Sequence, residues 1–275
     1  MKNNYSPLVI ALLTAMSSTA YAADKNIQKD ETDIERVLIT ASPLKRTVLE
    51  SSTPVTILSG EALDQNQAAT LGDTLKNVPG VHSSYFGPVA SSPIIRGLDG
   101  PRIKVVQNGL GASDASRVGP DHQVSTETST ATQIEVLRGP ATLLYGSGAI
   151  GGVVNVVDNR LPTQRQEGVS GEVFAQYDNV ADANTVSTDL NAGSGDFAFH
   201  IDGYTRKTDD YKIPVPANID EDGGSTTLAN SAIDASGYNF GAGWITDDTR
   251  VALAYGHMDS EYGLPGEEGV FIKLN

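Results

Sequence analysis

The sequence predicts a compact unit of mixed helices and strands followed by antiparallel, membrane-spanning β-strands. Three observations carry that expectation: an export signal at the N-terminus, a helix-and-strand pattern from about Leu44 to Leu161, and period-2 alternation after Pro162. Composition narrows the function classes. The 275 residues hold 19 Lys plus Arg against 34 Asp plus Glu, a net charge of −15. A chain this acidic repels nucleic-acid phosphates, so no nucleic-acid partner is expected. It has no cysteine, which removes disulfide frameworks, thiolate zinc sites, iron–sulfur ligation and cysteine nucleophiles together.

Residues 1–23 read as a secretory signal. Lys2 precedes the apolar run Leu8 to Leu13, and Ala20-Tyr21-Ala22-Ala23 supplies a small-residue cleavage site. A membrane anchor needs about 20 apolar residues, and here Thr14, Ser17, Ser18 and Thr19 follow the short core. No later segment has a long apolar run, so any membrane span must be β. Asp24 to Asp33 is polar and aperiodic, the pattern of a disordered arm. It leads into Ile34-Glu35-Arg36-Val37-Leu38-Ile39-Thr40-Ala41, a short β-prone stretch. Two readings of that stretch are open: strand addition to another protein's sheet edge, or the first strand of the next unit.

In that next unit, Val55 to Leu58 is expected as a strand, with Ser59-Gly60-Glu61 opening a helix. Thr70 is placed to cap a second helix at Leu71 to Leu75, stopped by Pro79-Gly80. Further strands are expected at Ile94-Ile95-Arg96, Ile103 to Val106, Gln133 to Leu137 and Val153 to Val157. The polar stretch from Gly109 to Ala131 is expected as a long loop, and long loops in compact units bind or move something.

After Pro162 apolar residues alternate with small or polar ones. Val173, Ala175 and Tyr177 alternate with Glu172, Phe174 and Gln176, and Phe197, Phe199 and Ile201 with His200 and Asp202. Tyr238 to Trp244 and Val251 to Tyr255 repeat the pattern. Segments of about ten such residues mark membrane β-strands, and a soluble sandwich would alternate likewise. Gly193 to Asp196 and Thr246 to Thr249 are expected as tight turns, with longer loops at Lys207–Asp234 and Ser260–Glu268 on the opposite end. Short turns at one end and long loops at the other favour an outer-membrane barrel.

Gly146-Ser147-Gly148-Ala149-Ile150-Gly151 satisfies G-x-G-x-x-G, but the β-branched run Val153 to Val157 follows where a dinucleotide site needs a helix. The same residues carry a different resemblance. Ile134-Glu135-Val136-Leu137-Arg138-Gly139-Pro140 through Tyr145-Gly146 to Asn155 resembles the plug signature of TonB-dependent outer-membrane receptors. Val78-Pro79-Gly80-Val81, Ile94-Ile95-Arg96-Gly97 and Val105-Val106-Gln107-Asn108-Gly109 resemble other plug elements in the family's order, the last with Asn in place of Asp.

The resemblance implies an α+β plug domain followed by antiparallel transmembrane β-barrel strands, the barrel incomplete in this chain. The implied division is signal peptide 1–23, disordered arm with a TonB box 24–43, plug 44–162, and first strands of a barrel of about 22 strands from 163 to 275. The TonB box falls at Val37, Leu38, Ile39, Thr40 and Ala41. The implied partners are TonB with its inner-membrane complex, outer-membrane lipid and a transported small ligand or metal. Arg96, Gly97, Glu135, Arg138, Gly139, Pro140, Tyr145, Gly146 and Asn155 are expected to be structural in the plug or at the plug–barrel wall.

Arg96-Gly97-Leu98-Asp99-Gly100-Pro101-Arg102 and Gly119-Pro120-Asp121-His122 look most similar to zinc-uptake receptors of the ZnuD type, which implies zinc ligands at Asp121 and His122. A departure weighs against zinc: Tyr262-Gly263-Leu264-Pro265-Gly266 runs into Glu267-Glu268 rather than a His-rich loop. Haem and siderophore receptors of the same architecture therefore stay open. The cargo aside, no cofactor is expected. The strands after Pro162, five and a sixth at Val270 to Leu274, cannot close around a plug, so an N-terminal fragment of a receptor is expected. A secreted β-rich adhesin or binding protein is the alternative of another class. No hydrolase motif stands out, and no enzyme is expected.

Overall fold

The computed structural model describes residues 40, 54–111, 119, 122–216, 224–266 and 271–274. All of them fall within the unit Val37–Asn275. The expected signal peptide, the TonB box apart from Thr40, and Asp121 lie outside the described residues.

The N-terminal part is an α+β unit. Its main sheet has the order β1-β6-β7-β4-β5, formed by β1 (Val55–Ser59), β4 (Ile103–Gln107), β5 (Leu110–Gly111), β6 (Gln133–Leu137) and β7 (Gly152–Val157). Only β4 and β7 pair in parallel; the other neighbours are antiparallel. Helices α1 (Gly60–Asn66) and α2 (Leu71–Leu75) stand where punctuation put them. The Thr70 hydroxyl accepts from the Asp73 N–H at 3.1 Å, satisfying a donor the first helical turn leaves free. One face of the sheet, with Ile134, Val136, Val154 and Val156, buries against Leu63, Leu71 and Leu75. The other face carries Leu137, Val153 and Val106 together with two buried polar residues, Glu135 and Asn155.

Three local expectations change. Ile94-Ile95-Arg96 is not all strand: β2 (Val81–Ser83) pairs with β3 (Pro93–Ile95), and Arg96 and Gly97 turn the chain with φ of 52° and 78°. Ile95 and Leu98 exchange backbone hydrogen bonds across that turn at 2.9 and 3.0 Å. The loop expected from Gly109 begins instead as a hairpin. Asn108-Gly109, with φ of 50° and 79°, has the paired positive dihedrals of a type I′ turn and returns the chain along β4 as β5. Gly139–Tyr145, not expected as an element, is a 3-10 helix with Pro140 in its first turn.

The second part is a six-stranded antiparallel sheet in chain order: β8 (Gly168–Asp178), β9 (Ala183–Ser194), β10 (Phe197–Thr208), β11 (Ile233–Ile245), β12 (Arg250–Gly263) and β13 (Phe271–Leu274). Alternation sorts its faces. Phe197, Phe199, Ile201, Tyr238, Phe240, Trp244, Val251, Leu253 and Tyr255 point outward and are exposed, while His200, Asp202, Tyr204, Arg206 and Asn239 are buried on the inner face. No helix among the described residues is long and apolar enough to cross a membrane.

The strands run further than their apolar cores. Lys207 pairs with Asp234 in register and by a 2.9 Å salt bridge, so both leave the expected loop. β12 likewise continues through Ser260 to Gly263. Pairing persists there because the ladder needs only backbone partners, whatever the polarity of the side chains. Gly195-Asp196 and Thr246–Thr249 connect strands at one end, and the chain leaves β10 and β12 for its longer connections at the other.

Candidate functional site

The inner face of the six-stranded sheet is covered by the α+β unit, and the seam is polar. Arg206 of β10 donates through Nη2 to Glu127 Oε1 at 3.0 Å and to Ser129 Oγ at 2.8 Å, and through Nη1 to Glu127 Oε2 at 3.2 Å. Glu127 also accepts from the backbone N–H groups of Thr128 and Ser129 at 2.9 and 2.8 Å. Both residues are almost fully buried, Arg206 4% and Glu127 8% exposed. Burial alone would raise the Glu127 carboxyl, but the Arg206 guanidinium and the Ser129 donors hold it below its ordinary value. Nearby, the Gln123 N–H donates to the Tyr262 hydroxyl and Ser260 Oγ donates to Gln123 Oε1, each at 3.0 Å. The polar stretch after Gly109 is thus bolted to the sheet wall at its far end.

The seam has two distinct ends. At the long-loop end, Tyr85 and Phe86 are about half exposed. The Tyr85 hydroxyl bonds to that of Tyr211 in the 209–232 connection. A Cβ at Gly87 would meet Pro265 at 3.2 Å and Leu264 at 3.7 Å. Burial and the Tyr211 bond push the Tyr85 phenol well above its ordinary value. At the short-turn end, Arg165 pairs with Asp196 and Asp247 at 3.1 and 2.9 Å. Thr40 lines a cavity there of about 890 Å³ with Asn108, Asp158, Arg165 and Arg250.

Thr40 is the one described residue of the expected TonB box. Its N–H and hydroxyl donate to Glu135 Oε1 at 2.6 and 2.8 Å, and its hydroxyl accepts from Asn155 Nδ2 at 3.1 Å. Tyr145 lies against the same face of the sheet; burial and the Glu135 charge raise its phenol.

The remaining expected residues scatter. Arg138 donates to Thr56 Oγ1 at 2.8 Å and to the Pro79 carbonyl at 2.9 Å, and burial with the Arg96 charge lowers its pKa. Arg96 and Gly97 are exposed in their turn. Gly139 and Gly146 take positive φ at the two ends of the 3-10 helix. His122 is half-buried, its N–H donating to the Gly119 carbonyl at 3.4 Å. Among the described residues no group of three or more His, Cys, Asp or Glu side chains is placed to hold a metal ion. His200 bonds to Asp202 and Asn191, each at 2.8 Å, and is spent within the wall.

Sequence reasoning missed Glu127, Ser129, Gln123 and Tyr262. Arg206 carried a signal, since it shares the inward phase of β10 with His200 and Asp202. Glu127 carried none, lying in an aperiodic polar run.

Residues 47–153 match the family described as TonB-dependent Receptor Plug Domain. Among solved structures, the siderophore receptor PirA from Acinetobacter baumannii is similar with a TM-score of 0.61 at 19% identity, over 78% of this chain and 32% of that one. The copper transporter OprC is similar with a TM-score of 0.63 at 22% identity, over 81% and 33%. A double mutant of the ferric enterobactin receptor PfeA from Pseudomonas aeruginosa gives 0.60 at 19%, over 76% and 33%. The chain spans about a third of the length of these structures, and at such identities the likeness is one of fold. The fold is a plug domain followed by antiparallel strands like those of TonB-dependent receptor barrels.

Proposed function

We propose that this chain is part of a TonB-dependent outer-membrane receptor, a transporter rather than an enzyme, that takes up a scarce ligand with energy delivered through TonB. One observation carries the proposal: the matched plug lies against the inner face of a sheet whose outer face is apolar, and its two ends differ. Thr40, within the segment assigned as TonB box, stands at the short-turn end, and Tyr85 and Phe86 stand at the long-loop end. That polarity fits ligand arriving over the loops and TonB pulling from the turns, with Met1–Ala23 removed on export. The solved relatives named as siderophore receptors and as a copper transporter support a metal cargo in one of two forms.

In the first form the cargo is a bare ion such as zinc, with Asp121 and His122 among its ligands. In the second it is a chelate such as a siderophore or haem, for which the exposed rings of Tyr85 and Phe86 offer a stacking surface. The test is uptake by cells carrying the complete gene, with zinc and with ferric siderophores as labelled cargo. Zinc uptake lost in Asp121→Ala, His122→Ala supports the first form. Siderophore uptake lost in Tyr85→Ala, Phe86→Ala supports the second. Proline at Leu38 or Ile39 removes a backbone donor from strand addition and should abolish energised uptake while leaving ligand binding intact. Uptake that persists with the proline overturns the assignment of the box.

A further inference from the structure

We propose that Asp64, Glu172 and Asp189 hold a hydrated divalent cation between the α+β unit and the sheet wall. The ion ties the two together, and its site stands whatever cargo the chain helps to carry.

A cavity of about 230 Å³ lies where α1 and the 129–132 stretch face the inner side of β8 and β9. Three of the side chains that line it are carboxylates: Asp64 from α1, Glu172 from β8 and Asp189 from β9. The strand register sets Glu172 directly opposite Asp189. Like charges facing one another across a ladder destabilise it, so this pair calls for a cation. No Lys, Arg or His lines the cavity. Among the described residues Asp64 and Glu172 have no ion pair. Asp189 accepts from the Asn191 amide and lies 3.7 Å from His200 Nδ1, which leaves the side toward Glu172 uncompensated.

Two uncharged oxygens point to the same ligand. Ser187, on the same face of β9 as Asp189, is 6% exposed and lines the cavity, and its hydroxyl has no hydrogen-bond partner among the described residues. Gln67 donates its amide to the Thr128 carbonyl at 3.1 Å. That leaves its buried Oε1 with no donor among the described residues. Buried polar atoms are satisfied by protein, water or an ion. A cation wrapped in water answers both needs: its waters donate to these oxygens and to the carboxylates, and its charge offsets theirs. Spacing and size select the hydrated form. No three carboxylates here are placed to hold a bare metal ion together. Six waters at about 30 Å³ each need about 180 Å³, which the cavity offers. Magnesium is an ion of this kind, since it dehydrates reluctantly and keeps several waters when bound by one or two carboxylates.

The test titrates Mn²⁺, a spectroscopic stand-in for Mg²⁺, into the full chain in detergent and reads free ion by electron paramagnetic resonance. Wild type is compared with the pair Glu172→Gln, Asp189→Asn. A control, Asp248→Asn with Glu261→Gln, removes the same charge from exposed positions. Wild type and control should share one saturable site, and the cavity pair should weaken it by about tenfold or more. Hexaamminecobalt(III), whose ammonia shell does not exchange, should displace Mn²⁺ from that site as Mg²⁺ does. Asp64→Asn lies on an exposed helix position and leaves the sheet untouched, so it decides the matter if the cavity pair fails to fold; it too should weaken binding. Equal affinity in wild type and the cavity variants overturns the site. An equal loss in the control reduces the binding to diffuse surface charge and overturns it as well. Mn²⁺ that hexaamminecobalt(III) cannot displace is directly coordinated, which overturns the hydrated ion. None of these outcomes bears on the receptor reading, which uptake tests.

Discussion

Glu127 and Glu135 belong to the same α+β unit and are both buried, 8% and 0% exposed, and they draw donors from different parts of the chain. Glu127 meets a guanidinium from the neighbouring sheet and two backbone N–H groups of its own loop. Glu135 accepts from two side-chain amides, Gln133 and Asn155, and from the N–H and hydroxyl of Thr40. A buried ion pair with good geometry is costly to break because either partner alone is left charged and desolvated. The contrast is between a clasp across the seam at Glu127 and a network of amides and Thr40 at Glu135, within one unit of the fold.

The largest effect expected is at the clasp across the seam. Arg206→Ala should cost about 3–5 kcal/mol, read from urea unfolding of the chain in detergent. The joint change Arg206→Met, Glu127→Leu should recover most of it. A single-mutant cost below about 1 kcal/mol would mean that water replaces the guanidinium, and the contrast with Glu135 would dissolve.

The next effect concerns the strap that leaves the plug. A Cβ at Gly241 would stand 1.8 Å from the Arg160 carbonyl, whereas one at Gly243 would meet Pro162 at 3.3 Å. Gly241→Ala should therefore destabilise by roughly 1–3 kcal/mol and Gly243→Ala by clearly less. Equal costs would show that the strap does not lie tight on the wall, leaving the ion pair as the main fastening.

The pH dependence sharpens the comparison further. The folded Glu127 pKa lies below its ordinary value of 4.5, so between the two values the unfolded chain binds more protons. Its stabilisation is complete above that ordinary value and is lost as the pH falls through the depressed folded one. Urea midpoints should drop more steeply on acidification in wild type than in Arg206→Met, Glu127→Leu; parallel curves would remove the Glu127 contribution. The smallest effect is a control that touches neither carboxyl. Thr70→Ala removes the α2 cap and should cost about 1 kcal/mol, read from the same urea unfolding.

Much of the architecture was legible because its causes are local. Period-2 alternation placed β8, β10, β11 and β12 of the second sheet, and it also gave Arg206 its inward phase. The Thr70 cap and the Pro79-Gly80 stop bounded α2. The Asn108-Gly109 hairpin was equally legible in principle, since that dipeptide prefers positive φ, but a long polar run behind it suggested a loop. Strand ends were the weak point. Lys207, Asp234 and Ser260 look like loop residues by polarity, and only the ladder shows them paired.

The candidate site was less legible, for a physical reason. Glu135 and Asn155 stood out by motif, but nothing in the sequence put them face to face: that needed the register of β6 on β7. Arg206 lies 79 positions from Glu127, and Glu127 has no periodic neighbours to announce it. The sequence by itself determined which segments are helix or strand and which faces are apolar, because dihedral preference and alternation act over a few residues. Tertiary structure alone decided that Arg206 meets Glu127 and that Thr40 meets Glu135, because burial and sheet register, set by the whole chain, bring those donors within reach.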